Sequence, residues 1–216
     1  MDLVTTVLLC TMTASPELSP GRPDAGTSTF DGDALEANPG GFTTARTGKG
    51  SKGRWLVRKD ATAPSAPNVL MQLDTDETDY RFPLAVAVEP SLRDLRVSVR
   101  CKAVSGAVDR ACGLVARYID ENNYVLARAN ALENNVNLYV VKDGRRRELE
   151  GWDGAVTSGV WHELRLDLRG EHLEVFWDGK RVIDHRDATF SGPGRAGMWT
   201  KADSVTAFDD FHVEAL

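Results

Sequence analysis

The stretch Leu95-Arg96-Val97-Ser98-Val99-Arg100-Cys101-Lys102 decides the fold. Apolar and polar residues alternate through it, as in a β-strand with one face in the core and one in water. The same alternation runs through residues 163–169 (Leu164, Leu166 and Leu168 inward) and 172–177 (Leu173, Val175 and Trp177 inward). Asp178-Gly179 then supplies a type I′ hairpin turn before Val182. Less regular strands are read at 55–58, 68–73, 82–88, 113–118, 124–130, 136–141, 196–201 and 205–213. Many short strands separated by turn signals, with no long helical pattern, predict one all-β sandwich. The 216 residues suffice for a single domain of this type.

The beginning of the chain differs. Residues 1–14 hold a short apolar stretch, Leu3 to Met12, with the small-residue exit Thr13-Ala14-Ser15-Pro16. In length this fits a secretory signal peptide and not a membrane span. Asp2 and the lack of Lys or Arg before the stretch argue against it, and Leu9-Cys10 is a weak lipid-anchor match. Residues 15–29 are rich in Pro, Ser, Gly and Thr and read as a linker, so the domain is expected over 30–216. The expected location is secreted or periplasmic, lipid-anchored if Leu9-Cys10 is used. No other segment is long and apolar enough to span a bilayer. The formal net charge of -6 weighs against nucleic acid. Arg145-Arg146-Arg147, after the turn Asp143-Gly144, reads as a solvated strand edge.

Turn placement sets a register. With a turn at residues 105–108, Cys101 faces Cys112, Val99 faces Leu114 and Val97 faces Ala116 on neighbouring strands. A turn at 120–123 puts Tyr118 beside Val125, Ala116 beside Ala127 and Leu114 beside Ala129. Directly opposed cysteines fall within the Cα range of roughly 4.4–6.8 Å that a disulfide needs, and export would permit the bridge.

The opposite face then collects Arg100, Arg117, Tyr124, Arg128, Asn130, Asn137 and Tyr139. Guanidinium forks and amides hydrogen-bond sugar hydroxyls, while phenol rings stack on the apolar face of a pyranose. Alternation alone also produces a polar outer face. Trp199 and Asp210 are expected to reach this face from the last hairpin, with Asp210 as the acid–base carboxylate.

Other motifs carry less. Gly48-Lys49-Gly50-Ser51-Lys52-Gly53 has dinucleotide-loop spacing but precedes a strand, not a helix, and reads as a loop. Four scattered His and no Cys pair at metal spacing predict no zinc site and no cofactor. Asp74, Asp76, Glu77 and Asp79 offer oxygen ligands for a structural Ca²⁺ without EF-hand spacing, so a solvated loop is the simpler reading. In Asp209-Asp210 the neighbours point to opposite faces, and an inward one needs a cation or backbone donors.

Several segments resemble the 3-keto-disaccharide hydrolase family, and equally the laminin G-like and levan-binding relatives of the concanavalin A-like superfamily. They are Gly113-Leu114-Val115-Ala116-Arg117-Tyr118, Asn122-Asn123-Tyr124, Trp161-His162-Glu163-Leu164, Trp177-Asp178-Gly179-Lys180, residues 197–204 and Phe208-Asp209-Asp210-Phe211. The resemblance implies a jelly roll of two antiparallel sheets, the curved one carrying a carbohydrate site. The E-x-D-x-x-E strand of family 16 glucanases is absent, so their retaining mechanism is not implied. Three functions follow: a glycoside-processing enzyme of the 3-keto type, a non-catalytic module for oligo- or polysaccharide, or a partner-binding exported domain.

Overall fold

A computed structural model describes residues 26–216. The expected leader and most of the expected linker lie outside the described residues. At the linker's end Ser28 already bridges to Phe211.

The described chain forms fourteen strands and no helix: β1 (Phe42–Gly48), β2 (Trp55–Lys59), β3 (Asn68–Gln72), β4 (Arg81–Ala87), β5 (Leu95–Ser105), β6 (Ala111–Asp120), β7 (Asn123–Asn130), β8 (Asn135–Lys142), β9 (Arg145–Asp153), β10 (His162–Arg169), β11 (His172–Trp177), β12 (Lys180–Arg186), β13 (Arg195–Trp199) and β14 (Val205–Ala215). No helix among the described residues is long and apolar enough to cross a membrane. The first sheet runs β1-β4-β13-β6-β7-β8-β9 and the second β12-β11-β10-β5-β14-β3-β2. All pairings are antiparallel.

The alternating residues build the core as their pattern requires. Leu95, Val97 and Val99 of β5 face Leu114, Ala116, Ala127 and Leu138 of the first sheet, with Leu164, Leu166, Leu168, Leu173 and Val175 in the same cluster. Trp161, just before β10, lies outside this core. It is half-buried on the outer side, its indole N–H donating to Thr62 at 3.1 Å and the Lys102 ammonium 4.9 Å above its ring.

The β5–β6 hairpin expected from the sequence does not form. β5 lies in the second sheet and β6 in the first. Cys101 and Cys112 are nonetheless bridged, with Cα atoms 6.4 Å apart, and the disulfide ties the two sheets together through the core. The β6–β7 register is also shifted by two residues, to Ala116↔Val125 and Leu114↔Ala127. A bulge between Ala116 and Asp120 takes up the difference, with Arg117 at φ 47°.

Candidate functional site

The outer faces of the two sheets carry different chemistry, and the expected site residues divide between them. Tyr124, Arg128, Asn130, Asn137, Tyr139 and Trp199 share the outer face of the first sheet. In β7 and β8, Arg128 stands opposite Asn137, and Leu126 opposite Tyr139. Trp199 on β13 stands opposite Gly113 and Leu84. Gly113 gives the indole room, since a Cβ there would lie 3.0 Å from the indole Cε3.

Arg100 and Arg117 do not join them. Arg100 follows β5 into the second sheet, where it faces outward and pairs with Glu163 at 3.4 Å. Arg117 is turned by its bulge toward the loops at the sandwich end, donating to the carbonyls of Arg93 (2.8 Å) and Phe190 (2.6 Å). Asp210 lies on β14 of the second sheet, where it accepts a hydrogen bond from the Ser65 hydroxyl at 2.6 Å. Its neighbour Asp209 is buried and takes the backbone N–H groups of Ser65 and Asp210, both at 2.8 Å. Burial, aided by Asp210 and Asp31, pushes the Asp209 carboxyl up to about 6.

The first sheet is bent strongly enough to close part of its outer face. β4 and β9 are five places apart in the strand order, about 24 Å on a flat sheet. Yet the Tyr80 hydroxyl, just before β4, donates to the Gly144 carbonyl (3.1 Å) and accepts the Arg146 N–H (2.7 Å) at the β8–β9 turn. Tyr124 reaches across to Thr47 of β1 at 2.7 Å. Inside this curve Phe82, Leu84, Val86, Val115, Leu126, Tyr124, Tyr139 and Trp199 form a second apolar cluster, all 5% exposed or less. Burial in this cluster raises the phenol pKa of Tyr124 and of Tyr139.

What stays open is a polar cleft of about 600 Å³ over the ends of β7, β8 and β9, with Arg128, Asn137, Tyr139 and Arg146 in its floor and Glu133, Glu148 and Asp153 around it. Arg128 is 2% exposed, and its Nη2 donates to Glu133 (2.7 Å) and Asn135 (2.8 Å). Partial burial works against ionised Glu133, but Arg128 and Asn135 hold its carboxyl below the usual range. Asn130 shapes the turn behind them by accepting the N–H groups of Leu132 and Glu133. Asn137 donates to the Tyr139 hydroxyl (2.9 Å) and to Glu148 (3.0 Å). It lies over Gly151, where a Cβ would stand 2.9 Å from the amide oxygen.

Behind Asn130 a chain of charges closes the cleft's end. Lys201 bridges Asp79 (2.8 Å) and Asp109 (3.0 Å), and Asp109 accepts from Asn130 at 3.3 Å. Burial raises the Asp109 carboxyl despite Lys201 and Arg128. Asp203 fixes this loop by accepting the N–H groups of Ala107, Val108 and Asp109. Ala202 beside it is held at φ 46°, a region that costs a non-glycine residue of order 1–3 kcal/mol.

The sequence reading missed Asp109, Lys201, Glu133, Glu148 and Arg146. For Glu133 a signal existed, because a hairpin turn after Asn130 returns residues 133–135 alongside Arg128. Asp109 and Lys201 meet only through the non-sequential β6–β13 pairing.

The acidic segment is committed to protein cations. Asp74 and Asp76 lie 3.0 and 3.7 Å from the buried Arg81, and Asp79 is held by Lys201. His172, Glu174 and Asp184 have ligand atoms within 4.8 Å of one another, but Arg181 already pairs with both carboxylates, at 2.7 and 2.8 Å.

No protein-family model matches the sequence, and no curated protein matches it. Among solved structures the fold is similar to the carbohydrate-binding module CBM66 from Bacillus subtilis, with TM-score 0.65 and 18% identity over 81% of this chain and 96% of that one. A Bacillus licheniformis β-glucanase matches with TM-score 0.60 and 10% identity over 89% and 98% of the two chains. A Bacteroides ovatus mixed linkage glucan GH16 protein, solved with its G4G4G3G product, matches with TM-score 0.60 and 10% identity over 88% and 99%. At these identities the likeness carries the fold alone: two antiparallel sheets in a concanavalin A-like jelly-roll sandwich.

Proposed function

We propose that this is an exported carbohydrate-binding domain whose site is the polar cleft on the outer face of the first sheet. One observation carries the reading. Arg128, Asn130, Asn137 and Tyr139 are all buried to 7% exposure or less on a face that alternation alone would leave in water. Fixed amide and guanidinium donors beside carboxylate acceptors match the paired hydroxyls of a sugar. The Tyr80 side of the face is closed, so the cleft accommodates a short oligosaccharide or a chain end. The carbohydrate modules and enzymes among the fold neighbours support the same class of partner. The bridge between Cys101 and Cys112 supports an oxidising compartment.

A second reading is hydrolysis, of the 3-keto-glycosidic kind that the sequence resemblance implies. It requires a protonated carboxyl near the scissile bond. Asp210 stands on the other sheet, and Glu133 is held ionised by Arg128. Asp109, whose carboxyl is raised, is the group that favours this reading, although Lys201 and Asn130 enclose it.

Calorimetry against a panel of neutral, acidic and 3-keto oligosaccharides tests the binding reading, with product analysis to detect cleavage. A bound saccharide is expected to lose at least tenfold in affinity on Arg128→Ala or Asn137→Ala, with the fold retained. Unchanged affinity in both variants would move the site elsewhere, and products from a 3-keto glucoside would establish the enzyme.

A further inference from the structure

Arg146 is the one cleft residue whose position the surrounding charges do not explain. It is the first β9 residue on the outer face that holds the cleft, opposite Val141 and two places before Glu148 on the same face. Its guanidinium carbon lies 4.6 Å from the Tyr139 ring, 4.9 Å from Phe82 and 6.0 Å from Trp199. Among the described residues it forms no ion pair within 4.0 Å, and its Nη1 is buried without an acceptor. Buried Arg81 and Arg128, by contrast, each have a carboxylate at 3.0 Å or less. A buried donor without an acceptor is unfavourable. Attraction to ring faces offsets that only in part.

The surface beneath Arg146 is suited to a different occupant. Phe82 and Trp199 stand 5.2 Å apart as a tilted pair, and Tyr139 joins them at the cleft floor. Aromatic faces of this kind receive the C–H face of a sugar ring. Tyr139 and Arg146 line the polar cleft itself, so the two surfaces are continuous. The main chain at Arg146 is anchored by Tyr80, and the β8–β9 turn by Asn122 and Asn123. The side chain can therefore leave while its strand stays in place, and Glu148 offers it a carboxylate at the rim.

We propose that Arg146 caps a cryptic aromatic subsite formed by Phe82, Tyr139 and Trp199, and that a saccharide ring displaces the guanidinium when it binds. This rests on the cleft being the saccharide site and adds a second contact surface with a built-in competitor. A site that is competent only in a minor conformation has its apparent affinity reduced by that fraction. Removing the competitor should therefore tighten binding.

The test uses the whole chain with Arg146→Ala, and Arg146→Gln as a milder variant that keeps the aliphatic stem. Without any sugar, acrylamide quenching of tryptophan fluorescence is expected to rise in Arg146→Ala. The increment should vanish when Trp199→Phe is added, which assigns it to that indole. With a saccharide that the parent binds, affinity is expected to rise about three- to tenfold in Arg146→Ala and less in Arg146→Gln. Weaker binding in both variants would make Arg146 a direct sugar contact and overturn the cap. Unchanged quenching would show that the indole is not shielded by Arg146, and would also overturn it. If quenching rises but neither parent nor variant binds any saccharide on the panel, the cap stands as a packing feature. The saccharide reading of cleft and subsite then falls.

Discussion

The second sheet turns outward a lattice of paired charges: Arg96 with Asp167 and Glu214, Arg100 with Glu163, Arg181 with Glu174 and Asp184. The first sheet turns outward a buried aromatic cluster, the buried Arg128 and a cleft. Both strand sets alternate, so period two does not distinguish them. The difference comes from curvature. Where a sheet stays open, water solvates its outer side chains and ion pairs there contribute little. Where it curls until Tyr80 meets Gly144, the outer side chains lose water and must satisfy one another. A residue on the outside of such a sheet can behave as core, and a polar residue there needs a partner or a ligand.

The largest expected effect tests that claim directly. Phe82→Ala, on the outer face of the first sheet, should cost about 3–5 kcal/mol in denaturant unfolding, as a core phenylalanine does. Phe176→Ala, outward on the second sheet beneath Arg165, should cost far less. Similar small losses at both positions would erase the distinction between the faces.

The next effect concerns what holds the sheets together. Replacing Cys101 and Cys112 with Ala together should cost about 2–4 kcal/mol. A double variant as stable as the parent would mean that the bridge between β5 and β6 contributes nothing to joining the sheets.

Arg128→Lys should fail to restore the saccharide affinity lost in Arg128→Ala. A lysine ammonium lacks the planar guanidinium whose carbon lies 5.6 Å from the Tyr139 ring centre while its Nη2 reaches both Glu133 and Asn135. Full rescue by Lys, read by calorimetry, would reduce the role of Arg128 to charge alone.

The smallest effect is on the open face. Arg100→Ala should change stability by no more than about 1 kcal/mol, and saccharide affinity not at all. A loss of binding there would place a site on the second sheet, near Glu163 and Asp210.

Much of the fold was legible in the residues. The alternation at 95–102, 163–169 and 172–177 placed the core side chains, and Asp178-Gly179 marked a hairpin between β11 and β12 that the structure contains. Six of the eight residues expected to contribute binding groups do share one face. The two exceptions have separate causes. Arg100 depended on sheet membership, and Arg117 on a bulge that no residue pattern announced.

The sequence by itself determined the inward and outward parity of nearly every strand, because that parity follows from side-chain alternation alone. It also determined that two cysteines with inward parity, eleven residues apart, could meet. Only the tertiary structure decided whether β5 and β6 are neighbours in one sheet or face each other across the core. Both arrangements send Leu95, Val97, Val99 and Cys101 inward beside Cys112 and Leu114, and both allow a Cα separation near 6 Å. A register slip of two residues is equally silent, since it restores every side chain to its original face. Curvature is the last such quantity. It brings Tyr80 to Gly144 and Arg146 over Trp199, and it arises from the packing of the whole sheet, not from the residues of any one strand.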